Sequence, residues 1–544
     1  MFRLYVPLRK FIPILAFSTL APILLVVAVQ RYLGLEGTLA NLLLLFPILG
    51  FFFGIMYPAI VKERDRNEID WKLPPLVIHM GVLSNSGMRM EEMLRMISQE
   101  KEFGPLAKEM GRIDRLVKEW KMPLHEACKI VSGDISSKNL KGFLRRLSHS
   151  LQSGEDFEGF LNDEKNSVMK DYELLYERSV KGMDATQEFF SGMMTAASFV
   201  LVLMAVLPPL MGVTPLLGIV AGILITMILE ALIVVIVSAT LPKDDLWSKS
   251  RNRMLGQLDY YFLISVTGCA ALMSAVTYIF IYGVLPASPF LMVPAALSPL
   301  LLVGLKVHKE EKLIKKKEDD YPSFVRSACS SYAYRRGSDA QVIKQLKRHD
   351  FGKLTEDIRA LHLRLKMGIN AKRSWNLFSS DTGSSLISRF TKIMYSGIRS
   401  GSDPSKFGET ISSTFVRMNG IRKMRYSTST VFTGLVYGLG AAVIAVIAIS
   451  FAIEEYLGGI YDIEGVGEAM GLIGLPTIQP LGTQMIEGLT LLVVISYAIA
   501  GAMSIRISSS SHPYIFFLHF PLIVWLGSLV AIVMIKGVNL LMGM

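Results

Sequence analysis

Few residues in this chain have the types and the spacing that a catalytic or metal site requires. The sequence has no GxxxxGK[ST] phosphate loop, which removes that route to nucleotide hydrolysis, and no HExxH zinc motif. Its eight histidines show no ligand-like pairing at helical spacing. The three cysteines, Cys128, Cys269 and Cys329, form no CxxC pair and are expected to be buried thiols. We therefore predict a protein that is not an enzyme and uses no metal or cofactor.

The strongest chemical signal is electrostatic. Region 306–430 has 26 Lys and Arg against 12 Asp and Glu, whereas region 61–188 has 21 against 23. A surface of one sign steers an oppositely charged partner and raises the encounter rate. The residues that we predict to dock an acidic partner are Arg335, Arg336, Lys347, Arg348, Arg364, Lys366, Lys372 and Arg373.

A second basic run directly follows an apolar segment and contains Lys312, Lys315, Lys316 and Lys317. Basic residues next to a membrane span attract anionic lipids, by ~1 kcal/mol each near the surface. We favour lipid contact for this run because it directly follows the span, and contact with the acidic partner stays open as the alternative. Nucleic acid is disfavoured because no aromatic interleaving or binding motif accompanies the charges.

Two features lie inside apolar segments. Glu230 in "ITMILEALIVV" is an ionisable group at membrane depth, which is costly and usually faces a protein interior, so we predict a polar contact between helices or at a subunit interface. Gly434 and Gly438 in "GLVYGLGAA" have the spacing that lets two helix backbones approach closely. That approach serves either packing within the chain or a dimer axis.

The elements that carry these residues are predominantly membrane helices. A spanning helix needs ~20 mostly apolar residues. Nine segments qualify, near 11–30, 39–60, 189–211, 216–240, 261–284, 289–307, 431–453, 485–504 and 515–538. With the N-terminus inside, 55 of the 57 Lys and Arg fall on the inner side and only Arg31 and Lys536 fall outside. This places the N-terminus in the cytoplasm and the C-terminus outside.

The two large cytoplasmic insertions repeat one pattern. Apolar residues at helical spacing in the first insertion recur in the second, displaced by 247 or 248 residues. The first series has Leu106, Met110, Ile113 and Val117, then Leu140, Phe143, Leu147 and Leu151, and the second has Leu354, Ile358, Leu361 and Leu365, then Ile387, Phe390, Met394 and Ile398. Each run ends in Ser-Gly, at Ser153-Gly154 and Ser400-Gly401, a helix stop. Gly87 and Gly337 also correspond.

We therefore predict an all-α membrane protein that arose by parallel tandem duplication, with one helix added at the end. The predicted organisation has transmembrane helices 1–2 in 1–60, a first cytoplasmic helical bundle in 61–188, helices 3–6 in 189–307 with a short cytoplasmic loop at 241–260, a second, basic bundle in 308–430, and helices 7–9 in 431–544 with an acidic outer loop at 454–484.

This arrangement resembles the type II secretion F-domain superfamily, the membrane platforms of type IV pili, type II secretion systems and archaeal filaments. The carrying motifs are Gly87, "LAKEMGRIDRLVKEW" and Gly154-Glu155-Asp156 in the first copy, and Gly337, "LTEDIRALHLRLKMG" and Gly401-Ser402-Asp403 in the second. Nine spans and 544 residues are similar to the archaeal branch, which includes the platforms of the archaellum and of archaeal pili. The first copy departs from the pattern, because Lys121 or Met122 stands at a position where the family often has a glycine. The second copy has that glycine, Gly368.

The resemblance implies a non-catalytic platform in the cell membrane. Its partners would be a hexameric cytoplasmic ATPase, pilin-like or archaellin-like subunits in the bilayer, anionic lipids and a second copy of the chain. The basic clusters would then dock the ATPase. The residues leave open whether the filament serves motility, adhesion or uptake. The alternative function is a polytopic secondary transporter, which would have discontinuous spans and polar breaks at the midplane.

Overall fold

The computed structural model of the chain describes residues 45–100, 103–210, 215–240, 246–248, 253–282, 288–334, 338–461 and 483–542. These residues contain no β-strand; the one β-type feature among them is an isolated bridge between Trp247 and Ser384. The predicted all-α class is confirmed. The chain divides into two compact units, residues 1–172 and 173–544.

The first unit contains a bundle of short amphipathic helices. Its helices are α1 (Leu45–Ser84), α2 (Met90–Gln99), α3 (Pro105–Glu119), α4 (Leu124–Asp134), α5 (Lys138–Ser153) and the first part of α6 (Phe157–Leu210). Local signals set their ends. The Ser137 hydroxyl accepts a hydrogen bond from the Leu140 backbone N–H as the N-cap of α5. Gly154 ends α5 at φ 69°, a left-handed conformation that favours glycine.

The core of the first bundle lies between α3, α5 and the helices around them. Leu106, Met110 and Ile113 of α3 are fully buried, as the periodicity predicts. Phe143 and Leu147 of α5 belong to the same core. Burying a side chain of this size contributes about 1.5–3 kcal/mol, so each face is strongly specified.

The second unit contains another bundle with the same order of helices. Its elements are α10 (Leu300–Tyr334), α11 (Asp339–Leu346), a 3-10 turn (Gly352–Leu354), α12 (Thr355–Lys366), α13 (Ala371–Thr382), α14 (Ser385–Ser400) and the first part of α15 (Pro404–Tyr461). Aromatic rings fill its core: Tyr321 and Phe415 lie 4.7 Å apart between ring centroids, and Phe324 and Phe378 lie 5.5 Å apart.

Cap and turn residues correspond between the two bundles. Ser384 caps α14 as Ser137 caps α5, and Gly401 ends α14 at φ 82°. A Phe-Gly step that periodicity alone does not reveal precedes the middle helix in both copies, at Phe103-Gly104 and Phe351-Gly352. Both glycines have positive φ, 54° and 56°, and both phenylalanines are buried. The two bundles thus share helix order, caps and this turn.

Among the described residues, six helices are long and apolar enough to cross a membrane. They are the later part of α6, α7 (Pro215–Thr240), α8 (Arg253–Tyr282), the later part of α15, α16 (Thr483–Ser509) and α17 (Phe516–Met542). Of the first two predicted spans, 11–30 lies outside the described residues and 39–60 enters them only at Leu45, where α1 begins. The nine-span count is therefore tested for the later segments only.

The predicted span 289–307 is not one straight helix. It consists of α9 (Pro289–Leu297) and the start of α10, bent by 49°. Pro299 lies at the break and accounts for it, because proline lacks an N–H and its ring clashes with the preceding helical turn. The Ser298 hydroxyl donates to the Pro294 carbonyl (2.9 Å) and accepts from Trp525 Nε1 (3.0 Å), so the break is a packed polar contact.

Candidate partner-binding surface and joint

The basic side chains of the second bundle lie at the ends of its short helices. Lys347 and Arg348 follow the last turn of α11, Lys366 ends α12, and Lys372 and Arg373 stand in the first turn of α13. All five are exposed to solvent. We call these five residues the basic surface.

His362 shows that two parts of the basic surface converge. Its side chain is buried on α12. Withdrawal from water lowers the pKa of the imidazole, and the nearby ammonium groups of Lys347 and Lys366 lower it further. Lys347 at the end of α11 and Lys366 at the end of α12 therefore both lie near the His362 imidazole.

The other predicted docking residues are placed differently. Arg364 is half-buried and forms an ion pair with Asp381 of α13, which neutralises its charge within the bundle. Arg335 and Arg336 lie outside the described residues, so their role stays a prediction.

The run that follows the membrane segment separates into exposed and internal lysines. Lys312 and Lys316 are exposed and keep both predicted roles, lipid or partner contact. The Lys315 ammonium lies 3.9 Å from the centre of the Tyr426 ring, and burial lowers its pKa. For Lys317 the prediction of a lipid or partner contact is wrong: its side chain is buried and paired with Asp357 at 2.6 Å. Helical periodicity turns this lysine towards the bundle core.

Sequence reasoning missed a buried polar cluster in the second bundle. Glu318 of α10 pairs with Arg422 of α15 at 3.1 Å and accepts a hydrogen bond from the Ser384 hydroxyl at 2.6 Å. All three side chains are buried. The first bundle has the corresponding contact between Ser137 and Asp70. Asp70 and Ser137 are 67 residues apart in the sequence, and Glu318 and Ser384 are 66 residues apart. This nearly equal separation is the sequence signal that could have revealed both pairs.

A joint connects the second bundle to the segments between membrane helices. Glu311 of α10 accepts hydrogen bonds from Trp247 Nε1 (3.1 Å) and from the His512 backbone N–H (2.8 Å). The Trp247 and His512 rings are 5.1 Å apart between centroids. Glu311 thereby ties the segment 246–248, which follows α7, to the segment before α17.

The segment 246–248 also pairs with the beginning of α14. The Ser385 N–H donates to the Leu246 carbonyl (2.9 Å), and the Ser248 N–H donates to the Gly383 carbonyl (2.8 Å). A membrane-side loop therefore contributes backbone hydrogen bonds to the bundle. We call residues 246–248, Glu311 and His512 the joint.

Arg425 adds a further connection between α15 and α16. Its buried guanidinium donates to the carbonyls of Ser508 (2.9 Å) and Ile507 (3.0 Å) at the end of α16. These are carbonyls that a helix leaves without partners in its last turn, and a cation there also favours the helix dipole.

The predicted residues within membrane helices are located as follows. Glu230 of α7 is buried, and its carboxyl group lies near the Ser496 side chain of α16. Gly434 and Gly438 face outward on α15, and a Cβ at either would meet no atom within 4 Å. Close packing within the chain is made instead by Gly440, where a Cβ would lie 2.3 Å from the Tyr497 ring. The dimer-axis prediction for the outward pair stays a prediction.

No group of three or more possible metal ligands occurs among the described residues. Cys128 and Cys329 are buried, and burial raises the pKa of each thiol to about 12. Cys269 is half-buried. These placements make the three cysteines packing residues in the described part of the chain.

Comparisons with known proteins agree with this architecture. The family model described as "Type II secretion system (T2SS), protein F" matches residues 76–215. The chain is 30% identical over 515 residues to Flagella accessory protein J of Methanocaldococcus jannaschii, covering 93% of this chain and 91% of that protein. It is 29% identical over 517 residues to Flagella accessory protein J of Methanococcus voltae, covering 94% and 92% respectively. Among solved structures, none matches the chain significantly.

Proposed function

The chain belongs to the family of the flagella accessory proteins J, and from this premise we propose that it is a membrane platform for assembly of an archaellum or a related pilus-like filament. The platform couples a cytoplasmic hexameric ATPase to pilin-like subunits in the bilayer and catalyses no reaction itself. The observation that carries the proposal is the pair of bundles with one helix order, each continuous with membrane helices.

The proposed orientation places both bundles in the cytoplasm, where the ATPase would be. The charge distribution supports it, because nearly all Lys and Arg fall on the side of the two bundles. The N-terminus is then cytoplasmic and the C-terminus extracytoplasmic.

The proposed ATPase site is the basic surface. Lys347, Arg348 and Lys366 carry solvent-exposed positive charges, and Lys347 and Lys366 both lie near His362, an arrangement that is suited to an acidic face of the ATPase. Lys312 and Lys316 are assigned to anionic lipid or to the edge of the same partner. A homodimer with Gly434 and Gly438 at its axis completes the proposed assembly.

The proposed route for motion runs through continuous helices and the joint. Helix α15 has 58 residues, about 87 Å at 1.5 Å per residue, and passes from the bundle into the membrane segment without a break. Glu311 and Arg425 fix the segments between membrane helices to the bundle helices α10 and α15. A displacement of the second bundle by the ATPase would therefore move several spans together.

The alternative, a secondary transporter, has one observation in its favour, the broken helix at Ser298-Pro299. The hydroxyl at that break is already bonded on both sides, to Pro294 and Trp525. A binding site for a solute needs polar groups that are open to it, so the platform remains the better-supported function.

The test is capture of partners from native membranes by the tagged chain, followed by charge reversal. We expect the native chain to retain a hexameric ATPase and pilin-like subunits. The variant Lys347→Glu/Arg348→Glu should lose at least tenfold in ATPase affinity and fail to form filaments, while membrane insertion persists.

The matched control is Arg399→Glu/Lys406→Glu, which reverses two other exposed charges of the same bundle. It should bind the ATPase within about threefold of the native chain if docking is local rather than set by total charge. Equal binding by the native chain and the Lys347/Arg348 variant would refute the basic surface as the docking site. Solute uptake by the purified chain in liposomes would support the transporter instead.

A further inference from the structure

In both bundles the middle helix is followed by an exposed turn, which we call its tip. One tip joins α3 to α4 and contains Trp120 and Lys121; the other joins α12 to α13 and contains Met367 and Gly368. Lys121 has φ 51° and Gly368 has φ 77°, so each tip turns through a left-handed residue 247 positions apart in the sequence. Lys121 adopts this conformation without being glycine, which is uncommon and costs about 1–2 kcal/mol.

The residue before the turn is large, apolar and exposed in both tips. Trp120 is 73% exposed and Met367 is 70% exposed. The other large apolar side chains of the two middle helices face the core or its edge, except for Leu363 of α12, which is also exposed. Tryptophan and methionine are enriched in the buried centres of protein interfaces. Two such residues at corresponding positions argue for a shared role.

The charges around the tips define the kind of partner. Lys366, Lys372 and Arg373 flank Met367 in the sequence, and all three are exposed. At the first tip, Lys121 and Glu119 are exposed together and Lys118 is paired with Asp114, so that tip is nearly neutral. A partner pocket that accepts both tips is therefore apolar at its centre and has an acidic rim. The rim strengthens binding of the second tip more than binding of the first.

We propose that Trp120 and Met367 are twin anchors that occupy the same apolar, acid-rimmed pocket on two subunits of one ring-shaped partner. The proposal rests on the proposed function and identifies how the hexameric ATPase is held. Each subunit of a ring carries the same pocket. A chain with two corresponding anchors can therefore bind two equivalent subunits at once. Linked weak contacts of this kind yield an overall affinity greater than either contact alone.

The test measures binding of the ATPase that the native chain captures, using the full chain in lipid nanodiscs and the variants Trp120→Ala, Met367→Ala and the double variant. We expect each single variant to bind about tenfold more weakly and the double variant at least a hundredfold more weakly. Leu174→Ala and Val416→Ala, which truncate other exposed apolar side chains, should bind within about twofold of the native chain.

Salt dependence provides a second readout. Met367→Ala keeps the anchor of the nearly neutral tip and removes the anchor that lies between the exposed Lys366 and Lys372, so its residual affinity should fall less steeply with added salt than that of Trp120→Ala. Native affinity in the double variant would overturn the proposal, as would a full loss in one single variant with none in the other. If the double variant instead loses only self-association or binding to anionic vesicles, the tips contact a second copy or lipid and the proposal is wrong. Failure of the native chain to capture any ATPase would overturn the proposed function itself, which separates the two failures.

Discussion

Lys121 and Gly368 illustrate how one backbone position is filled by different residues in the two copies. Both have left-handed φ, yet only glycine adopts that region without a steric penalty from Cβ. A Cβ at Gly368 would meet no atom within 4 Å, so the surrounding space does not demand glycine there. The difference between the copies is therefore one of backbone strain.

This difference leads to a paired stability prediction. Lys121→Gly should raise the free energy of unfolding by about 1 kcal/mol, because it relieves the left-handed strain, and Gly368→Ala should lower it by about the same amount. Denaturant unfolding of the detergent-solubilised chain, monitored by intrinsic fluorescence, measures both changes. Opposite signs for the two substitutions are required; a destabilised Lys121→Gly variant would show that the Lys121 side chain makes compensating contacts.

Residue-level prediction from the sequence succeeded where a pattern repeats and was less successful where it does not. The buried series on α3 and α12 follows from periodicity, because four residues spaced by 3 or 4 share one helix face. The ion pair of Lys317 with Asp357 does not, since it depends on how α12 packs against α10. The sequence alone could not decide whether Lys121 or Met122 corresponds to Gly368. The left-handed φ angles of Lys121 and Gly368 show that these two residues correspond.

At the scale of elements, each bundle joins its first helix to its last short helix through a serine cap and a buried acid. Ser384 caps α14 and donates to Glu318 of α10, and Ser137 caps α5 and contacts Asp70 of α1. One hydroxyl thus holds a helix start and a helix-to-helix contact together. The sequence displays both serines and both acids, but only the packed helices show that they meet.

Ser137→Ala and Ser384→Ala should therefore each lower the free energy of unfolding by about 1–2 kcal/mol, the usual loss of an N-cap with a buried hydrogen bond. Ser137→Asn and Ser384→Asn retain a capping oxygen and should recover part of the loss. Hydrogen exchange followed by mass spectrometry should locate faster exchange in the first turn of α5 or α14. Unchanged exchange there in the alanine variants would mean that the serines do not fix these helix starts.

The broken helix at Ser298-Pro299 and the joint were also beyond sequence reasoning. Hydropathy averages over ~20 residues and detects an apolar length, not a bend within it. The segment 246–248 is too short and irregular for any periodic signal, and its contacts with Glu311 and Ser385 connect positions more than 60 residues apart.

At the scale of the whole molecule, the shared helix order of the two bundles is what copying of one ancestral half without inversion would produce. The helix order of the two bundles is the same, whereas their charge differs, with the basic surface only on the second. Folding depends on the buried apolar series and the caps, which both copies keep. The exposed residues were free to diverge, and under the proposed function this divergence would give the two bundles different electrostatic roles towards the ATPase.

The central claim, that both bundles face the cytoplasm, is tested most directly by labelling with a membrane-impermeant maleimide. Lys138→Cys places a thiol on the exposed surface of the first bundle and Lys406→Cys places one on the second. The native chain is the control, because Cys128 and Cys329 are buried and Cys269 is half-buried in α8. We predict that both introduced thiols react in inverted membrane vesicles and that neither reacts in intact cells. Labelling of one bundle from each side of the membrane would contradict the parallel duplication and, with it, the platform described here.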